Sequence, residues 1–241
     1  MTCVLSLDGV GVCYWRGHRP LQVLRDASMH VHAGELVGVW AKAGGGKTTL
    51  LEVCAGVVTP EEGRVVINGQ DLGGLGKRRT TELLQSTVGL ATRQGPAIPD
   101  LPMVTWIALG LMRHLHRRDA ERRARQAMGR VGLDALADEP WRNLSDSERI
   151  LLAIARAAVC EPRLLLIDDP TSGLDMTERL HLLGLLRSMT SATGVAVVMA
   201  ASDMADLQGV ESVWSLVDGH LVGPPQESAT VVELAQRSKR G

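Results

Sequence analysis

Apolar and polar positions follow two different periods along this chain. Residues 4–12 alternate loosely, residues 21–31 continue in the same manner, and 36–40 is almost entirely apolar, the pattern of strands separated by turns. A glycine-rich stretch follows, and in 48–55 the apolar residues fall at helical spacing. Residues 64–67 predict a strand that ends in Asn68-Gly69, a tight hairpin-type turn. From about 94 to 144 the pattern is helical and rich in arginine, with Pro96, Pro99 and Pro102 punctuating its start. The last third alternates again. Residues 164–167 read as a strand buried on both faces. A helix is predicted over 174–189, another buried strand over 195–199, and a hairpin with Asp218-Gly219 at its turn within 213–221. A short helix fits 230–237. Strands alternating with helices predict an α/β fold around a largely parallel sheet, with the helical middle as an insertion.

Composition narrows the function classes. At 241 residues, with 45% hydrophobic and 22% charged residues, the chain suits one large domain or a domain with an inserted subdomain. The net charge of −1 lacks the basic excess of a nucleic-acid binder. The one basic run, 113–125, also holds Asp119 and Glu121 and reads as a solvated helix face or as a surface that meets a membrane partner. No apolar run reaches the length of a membrane span, and the first residues lack the pattern of a signal peptide, so a cytosolic protein is expected. Cys3, Cys13, Cys54 and Cys160 are scattered without metal-ligand spacing and read as reduced thiols.

The chemistry begins at Trp40-Ala41-Lys42-Ala43-Gly44-Gly45-Gly46-Lys47-Thr48-Thr49, which follows a predicted strand and opens a predicted helix. Glycines let successive N–H groups turn toward phosphate oxygens, and a helix N-terminus adds its dipole. In such a P-loop Lys47 reaches the β/γ-phosphates and Thr48 ligates Mg²⁺. The pattern asks for glycine first, where Ala41 stands. The run Leu164-Leu165-Leu166-Ile167-Asp168-Asp169-Pro170 places acids at the end of a buried strand, where open α/β sheets bind ligands. Asp168 suits the Walker B role of holding Mg²⁺.

These motifs, their order, and the string Thr171-Ser172-Gly173-Leu174-Asp175 together resemble the ABC ATPase family over nearly the whole chain, as does Ala153-Ile154-Ala155-Arg156-Ala157 after the Leu144-Ser145 region. Gly34-Glu35-Leu36-Val37, Pro60-Glu61-Glu62-Gly63-Arg64-Val65 and Val88-Gly89-Leu90 resemble the lipoprotein-releasing and macrolide-exporting group within it. The resemblance implies a P-loop NTPase fold: a RecA-like core with an antiparallel β subdomain (1–93 and 160–241) and an inserted α-helical subdomain (94–159). It implies an ATP-binding subunit peripheral to the inner face of the membrane, coupled to an integral-membrane permease that docks near 95–116. Two such cassettes pair head to tail with ATP and Mg²⁺ between them. By the same resemblance Ala43, Gly44, Gly45, Gly46, Lys47, Thr48 and Thr49 hold ATP, and Tyr14, or Trp15 beside it, stacks on adenine. Ser145, Asp146, Ser147 and Glu148 fill the signature.

The chain departs from the family at the positions that serve hydrolysis. The signature reads Leu144-Ser145-Asp146-Ser147-Glu148 where the family has two glycines, and Asp146 adds a negative charge facing a polyanion. Two like charges ~4 Å apart at an effective dielectric near 20 repel by about 4 kcal/mol. Asp169 occupies the catalytic glutamate's position with a carboxylate one methylene shorter, and a misplacement of ~1 Å costs about 10²-fold in rate. Ser202 stands where the family has a switch histidine. Counting back from Pro99 and Leu101, Arg93 falls at the glutamine that contacts Mg²⁺ and the attacking water, while a one-residue slip restores Gln94 to that role. The binding groups Lys47, Thr48 and Asp168 are intact. The resemblance, with these departures, implies a cassette that binds ATP better than it hydrolyses it, in a heterodimer whose partner supplies most of the turnover. A regulatory ATP-binding scaffold is the alternative.

Overall fold

The computed structural model describes residues 2–224, so the predicted helix at 230–237 lies outside the described residues. Two sheets organise the chain. The larger has the order β10-β9-β3-β8-β7-β6, built from β3 (Leu36–Trp40), β6 (Val88–Ala91), β7 (Leu164–Asp168), β8 (Ala196–Ala201), β9 (Ser212–Val217) and β10 (His220–Val222). All its pairings are parallel except the β9–β10 hairpin. The smaller sheet is antiparallel, in the order β2-β1-β4-β5: β1 (Cys3–Arg16), β2 (Arg19–His32), β4 (Glu62–Ile67) and β5 (Gln70–Asp71). A largely parallel sheet beside a separate antiparallel one is the expected α/β arrangement.

The apolar strands are continuous because both of their faces are covered. Leu164 and Leu166 of β7 join a cluster with α1 (Lys47–Cys54) and the small sheet, while Leu165 and Ile167 point to the opposite face, against α6 (Met176–Thr193) and α5 (Asp146–Ala158). Every residue of β8 is buried. The helices α3 (Met103–Ala108), α4 (Arg117–Arg130) and α5 gather a cluster of their own around Met103, Ile107, Met128 and Leu152. Trp106 and Trp141 meet edge to face there at 5.1 Å, with the Arg156 guanidinium 4.5 Å above Trp106. Burial lowers the pKa of Arg156 from the ordinary arginine value.

Both long helices after residue 144 begin with reciprocal caps. Ser145 with Glu148 caps α5, and Asp175 with Glu178 caps α6, each pair satisfying backbone donors that a helix start leaves free. α6 stops at Gly194 in the left-handed region, φ 71°. Asn68-Gly69 and Asp218-Gly219 both adopt the positive φ that their hairpin turns require.

Two elements differ from the sequence-based expectation. No helix forms over 94–101, because Pro96, Pro99 and Pro102 withdraw donors and hold their predecessors extended. Conversely α2 (Lys77–Thr87) carries no apolar stripe that could announce it: only Thr87 is buried, and Leu84 is its one apolar side chain packed on the main cluster.

Two glycines predict stability changes of opposite sign. A Cβ on Gly89 of β6 would lie 2.3 Å from the Ala157 carbonyl oxygen of α5, so Gly89→Ala forces strand and helix apart. We expect a loss of about 1–3 kcal/mol, read as a fall in Tm. Gly184 sits inside α6 with nothing within 4 Å of a Cβ. Gly184→Ala therefore stabilises by about 0.5–1 kcal/mol, and thermal unfolding of the two variants beside the parent checks both signs.

Candidate functional site

Parallel register brings the site together. Trp40 at the end of β3 pairs with Ala201 of β8, and Asp168 at the end of β7 pairs with Ala200. Three adjacent strands thus end at one level. The segments that leave them carry the glycine loop, Ser202, and the pair Asp168 and Asp169.

The glycine loop is shaped by what a side chain would hit. Gly44 adopts φ 75°, outside the range of ordinary residues. A Cβ on Gly45 would stand 2.9 Å from the Lys42 carbonyl oxygen, and one on Gly46 2.9 Å from Val23 Cγ1 of β2. Gly46 also holds φ 97° as the N-cap of α1. Ala41, by contrast, is fully buried with an ordinary negative φ, and its N–H donates to Ala201 O at 3.2 Å. The first position of the loop therefore accepts alanine, whereas Gly45 and Gly46 accept no side chain without movement. Lys47 is buried, and its Nζ donates to Ala41 O at 3.0 Å and Lys42 O at 3.2 Å, curling over the loop. Thr48 Oγ1 donates to Asp168 Oδ2 at 3.0 Å, across 120 residues of sequence. Ala43 and Thr49 lie in the same loop and helix start.

Asp169 is the most constrained residue of the site. It takes a left-handed φ of 48°, its N–H donates to Ala200 O at 3.1 Å, and Ser202 Oγ donates to its Oδ2 at 3.0 Å. Its Oδ1 is buried without a hydrogen-bond partner, as is Thr171 Oγ1 two residues later. Arg93 reaches this loop: its Nε and one terminal nitrogen donate to Asp169 O at 3.2 and 3.1 Å, and the same terminal nitrogen donates to Ser172 O. Gln94 is exposed, and its side chain makes no hydrogen bond among the described residues.

The segment Ser145–Glu148 opens α5. Ser145 N–H and Oγ donate to Glu148 Oε2 at 2.7 and 2.9 Å, and Ser147 Oγ lies 3.2 Å from Ser145 Oγ. Asp146 pairs with Arg149 at 3.2 Å, and Arg149 in turn lies over Trp141. The charge of Asp146 is thus directed along its own helix, where the N-terminal dipole also favours it. Sequence reasoning missed Arg149, whose i,i+3 spacing from Asp146 was the available signal. Tyr14 and Trp15 are both exposed at the end of the β1–β2 hairpin. Tyr14 pairs with Leu21, two residues before the Val23 that lines Gly46. Trp15, at 70% exposure against 40% for Tyr14, has the more open ring.

The donor set fits a nucleotide triphosphate with Mg²⁺. Gly44, Gly45 and Gly46 lead the chain into the N-terminus of α1, whose first N–H groups have no partner within the helix, which suits phosphate. Thr48 and Asp168 are hard oxygen donors already in contact, and no group of three or more His, Cys, Asp or Glu that could hold a metal ion occurs among the described residues. One or two protein oxygens supplemented by phosphate is the habit of Mg²⁺ rather than of zinc or calcium.

The comparisons agree with this geometry. The family pattern described as "ABC transporter" matches residues 24–172. The chain is 36% identical over 225 residues to the lipoprotein-releasing system ATP-binding protein LolD of Cereibacter sphaeroides, covering 92% of this chain and 100% of that protein. It is 33% identical over 240 residues to the methionine import ATP-binding protein MetN 1 of Rhodococcus jostii, covering 96% of this chain and 68% of that one. Its fold superposes with a TM-score of 0.82, at 25% identity and over 90% of this chain and 96% of the other, on the dimeric ATP-binding cassette MJ0796 bound to ADP and Pi. With its glycine loop, strand-end acids and two sheets in place, the chain belongs to the ABC transporter family of ATP-binding cassettes.

Proposed function

We propose that this ATP-binding subunit of an ABC transporter holds MgATP tightly, turns it over slowly on its own, and passes the energy of closure to an integral-membrane permease. The observation that carries the reading is the contrast within one site. The groups for binding are intact: Lys47 folds back onto the loop carbonyls, and Thr48 meets Asp168. The groups for hydrolysis are altered at Asp169, Ser202, Arg93 and Asp146.

The geometry supports the following roles. N–H groups of Gly44, Gly45, Gly46, Lys47, Thr48 and Thr49 bind the phosphates together with the Lys47 ammonium, Ala43 extends the loop, and Tyr14 or Trp15 offers a face to adenine. Thr48 and Asp168 would hold Mg²⁺, with Gln94 an additional candidate ligand from the neighbouring loop; the ion supplies charge neutralisation at the β- and γ-phosphates. In hydrolysis a water oxygen bonds to the γ-phosphorus, the bond to the bridging oxygen breaks, and Asp169 takes the water's proton. Asp169 is shorter than glutamate by one methylene, and a misplacement of ~1 Å costs about 10²-fold. Ser202 orients that carboxylate through its 3.0 Å hydrogen bond but brings no cation to the γ-phosphate.

Pairing follows the same logic. Ser145, Asp146, Ser147 and Glu148 would face the phosphates of a second cassette. A homodimer would have both halves of each site altered, whereas a heterodimer with an intact partner has one altered half per site. We favour the heterodimer, bound beneath a permease on the inner face of the membrane. Among the described residues no helix is long and apolar enough to cross a membrane, in keeping with a separate permease subunit. A regulatory scaffold, in which closure alone is the signal, is distinguished by negligible turnover in the assembled transporter.

Two experiments test the reading. Calorimetric titration of the purified chain with MgATP should show binding that Lys47→Ala abolishes, and Asp169→Glu with Ser202→His should raise steady-state turnover by at least about tenfold, within the range that a 1 Å correction allows. Brisk turnover by the parent chain would leave an ordinary motor and sink the impaired one. Sedimentation velocity with MgATP should find the purified chain monomeric. A stable nucleotide-dependent homodimer would contradict the heterodimer.

A further inference from the structure

The loop after β7 is held under local stress. Asp169 sits at φ 48°, a left-handed conformation that residues other than glycine rarely adopt. Asp169 Oδ1 and Thr171 Oγ1 are buried with no partner, so the loop's own polar groups do not satisfy one another. Within the loop one backbone bond closes the turn, from Leu174 N–H to Thr171 O at 3.1 Å. A loop of this kind keeps one shape only if neighbouring elements fix it.

Arg93 is placed to do so. Ala91, the last residue of β6, pairs in parallel with Ile167 of β7, so two residues further on Arg93 comes level with Asp169. Its planar guanidinium donates from two nitrogens to Asp169 O and from one of them also to Ser172 O, tying together two carbonyls three residues apart. Among the described residues Arg93 has no carboxylate ion-pair partner, so these carbonyls are its anchor. Ser202 holds the Asp169 side chain from β8, while Arg93 holds its backbone from β6. The two tethers approach from opposite sides, since β7 lies between β6 and β8.

We propose that Arg93 is a positioning residue that clamps the Asp169–Ser172 loop to the end of β6 and so fixes where the Asp169 carboxylate stands. The inference rests on the reading that Asp169 is the proton acceptor, but the clamp itself exists without nucleotide. Lysine cannot replace it, because a single ammonium on a flexible stem does not reproduce a planar fork spanning two carbonyls.

The test uses the full chain with Arg93→Ala and Arg93→Lys. Arg93 is exposed, so both variants should fold, with a Tm near that of the parent chain. In the nucleotide-free protein, amide hydrogen exchange over 169–174 should speed at least about tenfold in both variants, since local opening is set by the tethers that are lost. The Kd for MgATP should stay within about twofold, while kcat falls about tenfold. Unchanged exchange would overturn the clamp. Faster exchange with unchanged kcat would overturn its positioning role and leave a structural tie. Failure of the parent chain to bind MgATP would sink the proposed function instead, and the exchange comparison would still decide the clamp.

Discussion

The site depends on three buried parallel strands that end at the same level. β8 lies between β3 and β7, and its last residues pair with Trp40 on one side and with Asp168 on the other. That register is fixed by apolar side chains that have two covered faces and nowhere else to go. A slip of one residue would exchange Leu164 and Leu166 with Leu165 and Ile167 between the two clusters. Because the strands end together, Thr48 and Asp168 meet at 3.0 Å, and Ser202 reaches Asp169. The polar chemistry is a consequence of hydrophobic register.

On that platform the binding and hydrolytic parts are built differently. The glycine loop is specified sterically: Gly45 and Gly46 exclude any side chain, and Lys47 folds back onto the Ala41 and Lys42 carbonyls. The carboxylate loop is specified by tethers from two neighbouring strands, and Asp169 is kept in a left-handed conformation with one oxygen unsatisfied. Held in place there, the Asp169 carboxylate is one methylene shorter than a glutamate and stands back from an attacking water. The proposed tight phosphate binding with slow proton removal rests on that pairing. Asp146 adds less repulsion than its charge alone implies, since Arg149 lies 3.2 Å away on the same helix.

Much of this was legible in the sequence because it rests on patterns with a direct physical cause. Buried strands appear as apolar runs, hairpins as Asn68-Gly69 and Asp218-Gly219, and the phosphate loop as glycines between a strand and a helix. The helix α2 was not legible, since it packs almost none of its surface and so carries no apolar stripe. The helical pattern predicted from about 94 fails at its start, because 94–101, with three prolines in or beside it, forms bends and turns instead. The choice between Arg93 and Gln94 stayed open in one dimension. The β6–β7 register brings Arg93 to the Asp169 loop, where it hydrogen-bonds, while the Gln94 side chain makes no hydrogen bond among the described residues. Contacts across 76 residues, such as that of Arg93 with Asp169, leave no local mark in a sequence.

The most direct measurement is the fate of one bound nucleotide. The purified chain would be loaded with less than one equivalent of γ-labelled MgATP, chased with excess unlabelled MgATP, and quenched at intervals. A site built to hold rather than to cleave releases most of the label as intact ATP, because dissociation outruns the chemical step. Release of most of the label as inorganic phosphate would contradict the account and make Asp169, as it stands in this loop, a competent catalyst.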